Sequence, residues 1–209
     1  KYSFPYERGE ERIELLTRKY MVSEDLAKRR EMQKALFAAV RENDKARLKE
    51  LHTAYEREFP EQLEGMTVLF ELPPYLDTQE KLAFLRPHNK AEEQMKKDAL
   101  ERLTQYHFLV SHFVAQNSDD KGFLEEFWRT MEQLGVTAGN LRQVQIMRSG
   151  VLSQVAAYKI FEQLGQRPQL SHPQQDAFDA IDMWSGDNVA VQIKTGHKRS
   201  EELLIDTDD

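Results

Sequence analysis

The longest helical pattern in the chain constrains everything around it. From Lys90 to about Gln116, Ala99, Leu100, Leu103, Tyr106, His107, Val110 and Phe113 recur at helical spacing and form a broad apolar stripe. A stripe of that width must be covered by other elements, so a gathering of helices is expected around it. The segments on either side carry the same period. Ile13, Leu15, Leu16, Tyr20 and Met21 suit one amphipathic helix. Ser23 can cap a second, with Glu24 and Asp25 in its first turn and Leu26, Met32, Leu36, Phe37 and Val40 on its apolar face. Asn43-Asp44 can end that helix and cap a third, which carries Leu48, Leu51 and Tyr55 to Phe59-Pro60.

Punctuation divides the rest. Met66 to Leu72 reads either as a buried helical turn or as a short strand, stopped by Pro73-Pro74. Asp77 is expected to cap a short helix through Leu85, before Pro87-His88-Asn89 breaks the chain again. Asp119-Asp120 opens a helix from Phe123 to Leu134, closed by Gly135, with Phe123, Phe127 and Trp128 as core. A further run through Met147 reaches Ser149-Gly150. His107 and His112 lie five apart, whereas adjacent zinc ligands on a helix want three or four, so they read as packing residues. Lys28-Arg29-Arg30 and Lys96-Lys97 read as solvated helix faces.

Composition narrows the function classes. In 209 residues, 40% are hydrophobic and 31% charged, which suits a globular protein with long solvated helices. No run of apolar residues is long enough to span a membrane, so an intracellular, cytoplasmic location is expected. The absence of cysteine excludes disulfides, thiolate metal sites and cysteine nucleophiles. A net charge of −7 argues against a general nucleic-acid coat, because phosphate binding draws on Lys and Arg. A local basic strip can still serve one substrate on an acidic protein.

Character changes after Gly150. Val151 to Leu164 is a compact helix ended by Gly165, followed by a polar stretch with Pro168 and Pro173. Two strand-like runs, Phe178 to Trp184 and Val189 to Ile193, are joined by Ser185-Gly186-Asp187-Asn188, which has the composition of a hairpin turn. Alternate side chains of a strand share a face, so Gln192 and Lys194 point one way and Val191 and Ile193 the other, with Asp182 opposite on the partner strand. Phosphodiester hydrolysis needs an activated water and compensation of charge at phosphorus. A divalent cation held by oxygen ligands supplies both, and a nearby lysine can orient the water or hold a phosphate oxygen.

Gly150-Val151-Leu152-Ser153-Gln154, the helix to Leu164-Gly165, Ala180-Ile181-Asp182-Met183-Trp184 and Val189-Ala190-Val191-Gln192-Ile193-Lys194 together resemble the centre of the PD-(D/E)xK nucleases, the restriction-endonuclease-like and Holliday-junction-resolvase-like superfamily. The resemblance covers roughly residues 148–196. It implies that Asp182, the Gln192 side chain and the Ile193 carbonyl hold Mg²⁺ or Mn²⁺, that Lys194 is the catalytic lysine, and that Gln154 helps place the metal or its water. Gln154 stands where the family often has Glu, so another acid (Asp179, Asp187 or Glu162) or a substrate phosphate would complete the donor set. His172 and His197 flank the motif, and His197, Lys198 and Arg199 are candidate phosphate contacts.

The expected fold is therefore α+β: a helical region, 1–149, followed by a small α/β restriction-endonuclease-like module with a β-hairpin core, 150–209. The expected function is metal-dependent nuclease action, with DNA as substrate and the helical region presenting substrate, a protein partner or a second copy of the chain. One alternative is a nuclease-like scaffold that binds without cutting. Another is a helical regulatory protein in which Asp182, Gln192 and Lys194 do not converge.

Overall fold

The stripe on Lys90–Gln116 becomes the axis of the fold. The computed structural model describes residues 26–59, 64–173, 175–186 and 189–193. Its helices are α1 (Leu26–Arg41), α2 (Lys45–Glu58), α3 (Glu64–Phe70), α4 (Leu72–Phe84), α5 (Lys90–Gln116), α6 (Lys121–Thr137) and α7 (Leu141–Gln163). The expected helix around Ile13–Met21 and its neighbouring Ser23 cap lie outside the described residues.

Local chemistry accounts for the helix starts. At α5 the Asn89 side chain accepts from the Glu92 amide at 3.0 Å, while Glu92 reaches back to the His88 amide at 2.6 Å. Both bonds satisfy amides that have no partner within the helix. Asp44 caps α2 and Asp120 caps α6 in the same way, each accepting from the amide three residues on. Asn43 turns the chain between α1 and α2 with φ of 53°, a left-handed conformation that Asn tolerates.

The second half of α5 is buried along Leu103, Tyr106, Leu109, Val110, Phe113 and Val114. Around it close Phe37 from α1, Val68 and Leu69 from α3, Leu72 and Leu76 from α4, Phe123, Phe127 and Met131 from α6, and Val144, Met147, Val151 and Val155 from α7. Aromatic rings dominate the centre, with Phe113 and Phe127 at 4.8 Å and Phe37 and Phe123 at 5.5 Å between centroids. Polar ties cross the helices at the rim. Arg30 binds the Asn117 side chain at 2.7 Å and the Asp119 carboxylate at 2.5 Å, fastening α1 to the α5–α6 turn. Of the Lys28-Arg29-Arg30 run, expected on a solvated face, Lys28 is exposed but Arg29 is buried and Arg30 is partly buried. His107 packs inside, its Nε2 2.6 Å from the Tyr75 hydroxyl, and burial lowers its pKa to about 4.

Several sequence expectations change. Pro73-Pro74 do not stop a helix but occupy the first turn of α4, where a missing N–H costs no hydrogen bond, so Asp77 lies inside that helix. Met66–Leu72 resolves as helix, α3 running into α4 through Glu71. Gly135 does not close α6. It is buried inside it, and a Cβ there would stand 2.6 Å from Val144 Cγ2 and 3.3 Å from Leu141 Cα. The glycine is needed because α7 crosses α6 at that point. The run to Gly150 and the helix after it form one continuous α7.

The largest correction concerns the C-terminal part. A restriction-endonuclease-like α/β module with a β-hairpin core was expected at 150–209, and the structure contradicts it. Among the described residues the chain is mostly helical, with one small antiparallel sheet of order β1-β2-β3, from Gln169–Leu170, Met183–Trp184 and Ala190–Val191. Each strand has two residues. The expected strand from Phe178 fails at its start because Gln175–Asp179 winds into a π-helical turn. Ala180, at φ of 55°, then turns the chain sharply into Ile181 and Asp182. The two runs do pair, Met183 opposite Val191 and Trp184 opposite Ala190. The third strand comes from the polar stretch between Pro168 and Pro173, which carried no strand signal in the sequence.

Gly135→Ala is expected to destabilise the fold by about 1–3 kcal/mol through overpacking, less the ~1 kcal/mol gained by removing a helical glycine. Gly150→Ala, where a Cβ meets nothing within 4 Å, is expected to raise stability by about 0.5–1 kcal/mol. Chemical denaturation of the two variants checks both signs.

Candidate functional site

Asp182 stands at the entrance to β2, and the fold grips it from several directions. Its amide donates to the Val191 carbonyl at 3.0 Å, continuing the β2–β3 ladder. Its carbonyl accepts from the Ser171 amide at 3.2 Å, continuing the ladder toward β1, and from Gln154 Nε2 at 3.0 Å. One oxygen of its carboxylate, Oδ2, accepts from the Ile193 amide at 2.5 Å. Gln154 lies on α7, one helical turn beyond Gly150, and its Oε1 accepts from Ser111 Oγ of α5 at 2.6 Å. A continuous chain of hydrogen bonds therefore runs from α5 through α7 to the sheet.

The structure thus brings together three of the residues singled out from the sequence, Gln154, Asp182 and Ile193. Gln192 is exposed and lies one step past β3, opposite Asp182 if the antiparallel register is extended. Lys194, His197, Lys198 and Arg199 lie outside the described residues. Of the acids considered as substitutes for a family Glu, Asp179 is exposed and Glu162 is exposed and paired with Lys159 at 3.0 Å. Asp187 also lies outside the described residues.

The acid that does approach Asp182 is one the sequence reading missed, Asp176 in the π-helical turn. Burial, and then the negative charge of Asp182, raise its pKa to about 6. Burial also raises that of Asp182, opposed by the hydrogen bond from the Ile193 amide. Burial disfavours the charged form of both carboxylates, and carboxylate oxygen is the ligand type a hard divalent cation takes. Of the oxygen-bearing groups in this part of the chain, Asp176 and Asp182 are partly buried and Gln192 is exposed. Among the described residues no group of three or more His, Asp or Glu side chains is gathered for a metal. The Gln154 side-chain oxygen is engaged by Ser111.

Asp176 was hard to find from the sequence because it lies six residues before Asp182, a separation with no meaning on a strand. Only the π-helical turn brings it back. Ser111 did leave a trace, a small polar residue in the most apolar part of α5. No known protein family, curated protein or solved structure matches the chain. No described helix is long and apolar enough to cross a membrane.

Asp182→Asn removes the charge beside Asp176. The Asp176 pKa is expected to fall from about 6 toward its ordinary range but to stay above it, since burial is the larger cause. Carbon-13 NMR titration of the carboxyl groups reads the shift, and an unchanged Asp176 would mean that the two acids do not interact.

Proposed function

We propose that this chain is a metal-dependent phosphodiesterase acting on nucleic acid, DNA in the first instance, inside the cell. The observation that carries the reading is the bond from the Ile193 amide to the Asp182 carboxylate at the mouth of the small sheet, with the partly buried Asp176 within reach of the Asp182 charge. The reading rests on this local geometry and on the residue types of the Asp182 and Gln192-Ile193-Lys194 motif, not on a restriction-endonuclease-like fold.

In this reading Asp182 Oδ1 and the Asp176 carboxylate would hold Mg²⁺ or Mn²⁺, with the Gln192 side chain and the Ile193 carbonyl as neutral donors. Such an ion would supply activation of a water and compensation of charge at the phosphate. Lys194 directly follows Ile193 in the chain, and its ammonium group would orient the attacking water or hold a phosphate oxygen. Gln154 is a positioning residue that holds the Asp182 backbone in place, with Ser111 fixing Gln154 in turn. The helical body presents the nucleic acid, a protein partner or a second copy of the chain to this end of the molecule.

Asp182→Asn and Lys194→Ala are each expected to reduce cleavage of a labelled DNA in Mg²⁺ by about 100-fold or more, with an unchanged circular dichroism spectrum. Full activity in either purified variant would defeat the assignment. One observation favours a second reading, a module that binds nucleic acid without cutting it: the oxygen of Gln154, at the position of a family acid, is already engaged by Ser111. Calorimetric titration with Mn²⁺ separates the two. Heat of binding that disappears in Asp176→Asn supports the enzyme, and no uptake with or without DNA supports the binding module.

A further inference from the structure

Between α5, α7 and the edge of the sheet lies a cavity of about 1260 Å³, bordered by Gln175 of the π-helical turn and Trp184 of β2. Its walls differ from the rest of the surface. Phe108 and His112 come from α5 with their rings 4.4 Å apart, Tyr158 from α7 and Trp184 from β2. Two cations, Lys159 and Arg167, also line it. None of these four aromatic side chains belongs to the apolar core around Phe113 and Phe127, and all four are only partly buried. The Trp184 ring is fixed in place, its Nε1 donating to Gln175 Oε1 at 3.2 Å. The Lys159 ammonium is 5.8 Å from the Tyr158 ring centre and is shared with Glu162. The Arg167 guanidinium is exposed and makes no hydrogen bond or ion pair among the described residues. Gly186 keeps the cavity wall thin here, since a Cβ on it would stand 3.0 Å from the Arg167 backbone nitrogen.

Several flat rings with an exposed guanidinium beside them are the recognition chemistry of unpaired nucleotides. Bases stack on aromatic faces whatever their sequence, and cations follow the phosphates. Groove reading of a duplex instead needs a protruding helix or ribbon with polar side chains on base edges, which a recess does not offer. The volume exceeds the roughly 300–1,000 Å³ usual for one small ligand, leaving room for more than one nucleotide unit. Two of the lining residues are near neighbours of the acids in the chain: Gln175 directly precedes Asp176, and Trp184 follows Asp182 by two residues.

We infer that this cavity binds unpaired nucleotides of a single-stranded nucleic acid and delivers the adjoining phosphate to Asp182 and Asp176. The delivery step rests on the phosphodiesterase reading, while the binding step stands on the cavity alone. The substrate class is thereby narrowed to single strands, frayed ends or flaps rather than intact duplex.

The chain has two tryptophans, Trp128 in the core and Trp184 in the cavity wall, so fluorescence reports the site directly. The full chain carrying Trp128→Phe is titrated in EDTA with a single-stranded oligothymidylate of about twelve nucleotides, with a duplex of the same length and with thymidine monophosphate. Saturable quenching by the single strand is expected, with the duplex and the mononucleotide at least about tenfold weaker. Arg167→Ala and Phe108→Ala are each expected to weaken binding by about tenfold, the loss typical of one stacking or charge contact. If Trp128→Phe is unstable, the wild-type protein is used, and Trp184→Phe must remove the signal. Absence of quenching, equal affinity for duplex or mononucleotide, or unchanged affinity in both wall variants would overturn the inference. Asp182→Asn keeps the two proposals apart. Binding retained with cleavage intact defeats only the phosphodiesterase, and cleavage by the wild type without quenching defeats only the cavity.

Discussion

The burial of one face of α5 is the constraint on which the rest of the structure depends. Leu103, Tyr106, Val110 and Phe113 would leave a long apolar seam in water if uncovered, and five other helices contribute side chains to cover it. Because α6 and α7 pack on the same seam, they are drawn close enough to each other that only a glycine fits at position 135. The sheet is too small to stabilise itself, since two-residue strands form few ladder bonds and an isolated hairpin is marginal in water. It is held by the helices, through Ser111 and Gln154 and through the fully buried Met183. The candidate site is in this sense an attachment to the helical core rather than a product of its own sheet.

Where a segment's own residues decide its conformation, the sequence could be read. The caps at Asp44 and Asp120, the α5 stripe and the Phe123, Phe127 and Trp128 core all follow from short-range chemistry. Reading failed where a distant neighbour decides. Gly135 looks like a helix end until Val144 is placed against it, and Pro73-Pro74 look like a stop unless the helix is known to begin just before them. The C-terminal fold failed for a related reason. Phe178 to Trp184 has strand composition, yet its first residues wind into a π-helical turn and Ala180 redirects the chain, so little remains to pair. Most of a restriction-endonuclease-like α/β module has no counterpart among the described residues.

The candidate site was legible in a different proportion. The two runs that the motif joins do pair, and their pairing sets the Ile193 amide against the Asp182 carboxylate, because paired runs bring their ends together whatever their length. It said nothing of Asp176, whose approach depends on the π-helical turn that replaced the expected strand. The departure from the expected fold and the presence of the second acid thus have one origin. The cavity was not foreseen either. Its rings come from α5, α7 and β2, and in the sequence Phe108 and Tyr158 are ordinary aromatic residues on helices.

The bond from Gln154 to the Asp182 carbonyl has a further consequence. A carbonyl oxygen can only accept, so whatever holds it must offer hydrogen. A glutamate at position 154 would be mute toward it unless protonated, and as a carboxylate it would add a third negative charge beside two acids already reluctant to ionise. Glutamine speaks both ways, accepting from Ser111 with its oxygen and donating to Asp182 with its nitrogen, and neither bond depends on a proton that pH can remove. What looks like a lost ligand when set beside a family pattern is, in this architecture, a pH-indifferent tie rod between a helical body and a sheet too small to stand alone.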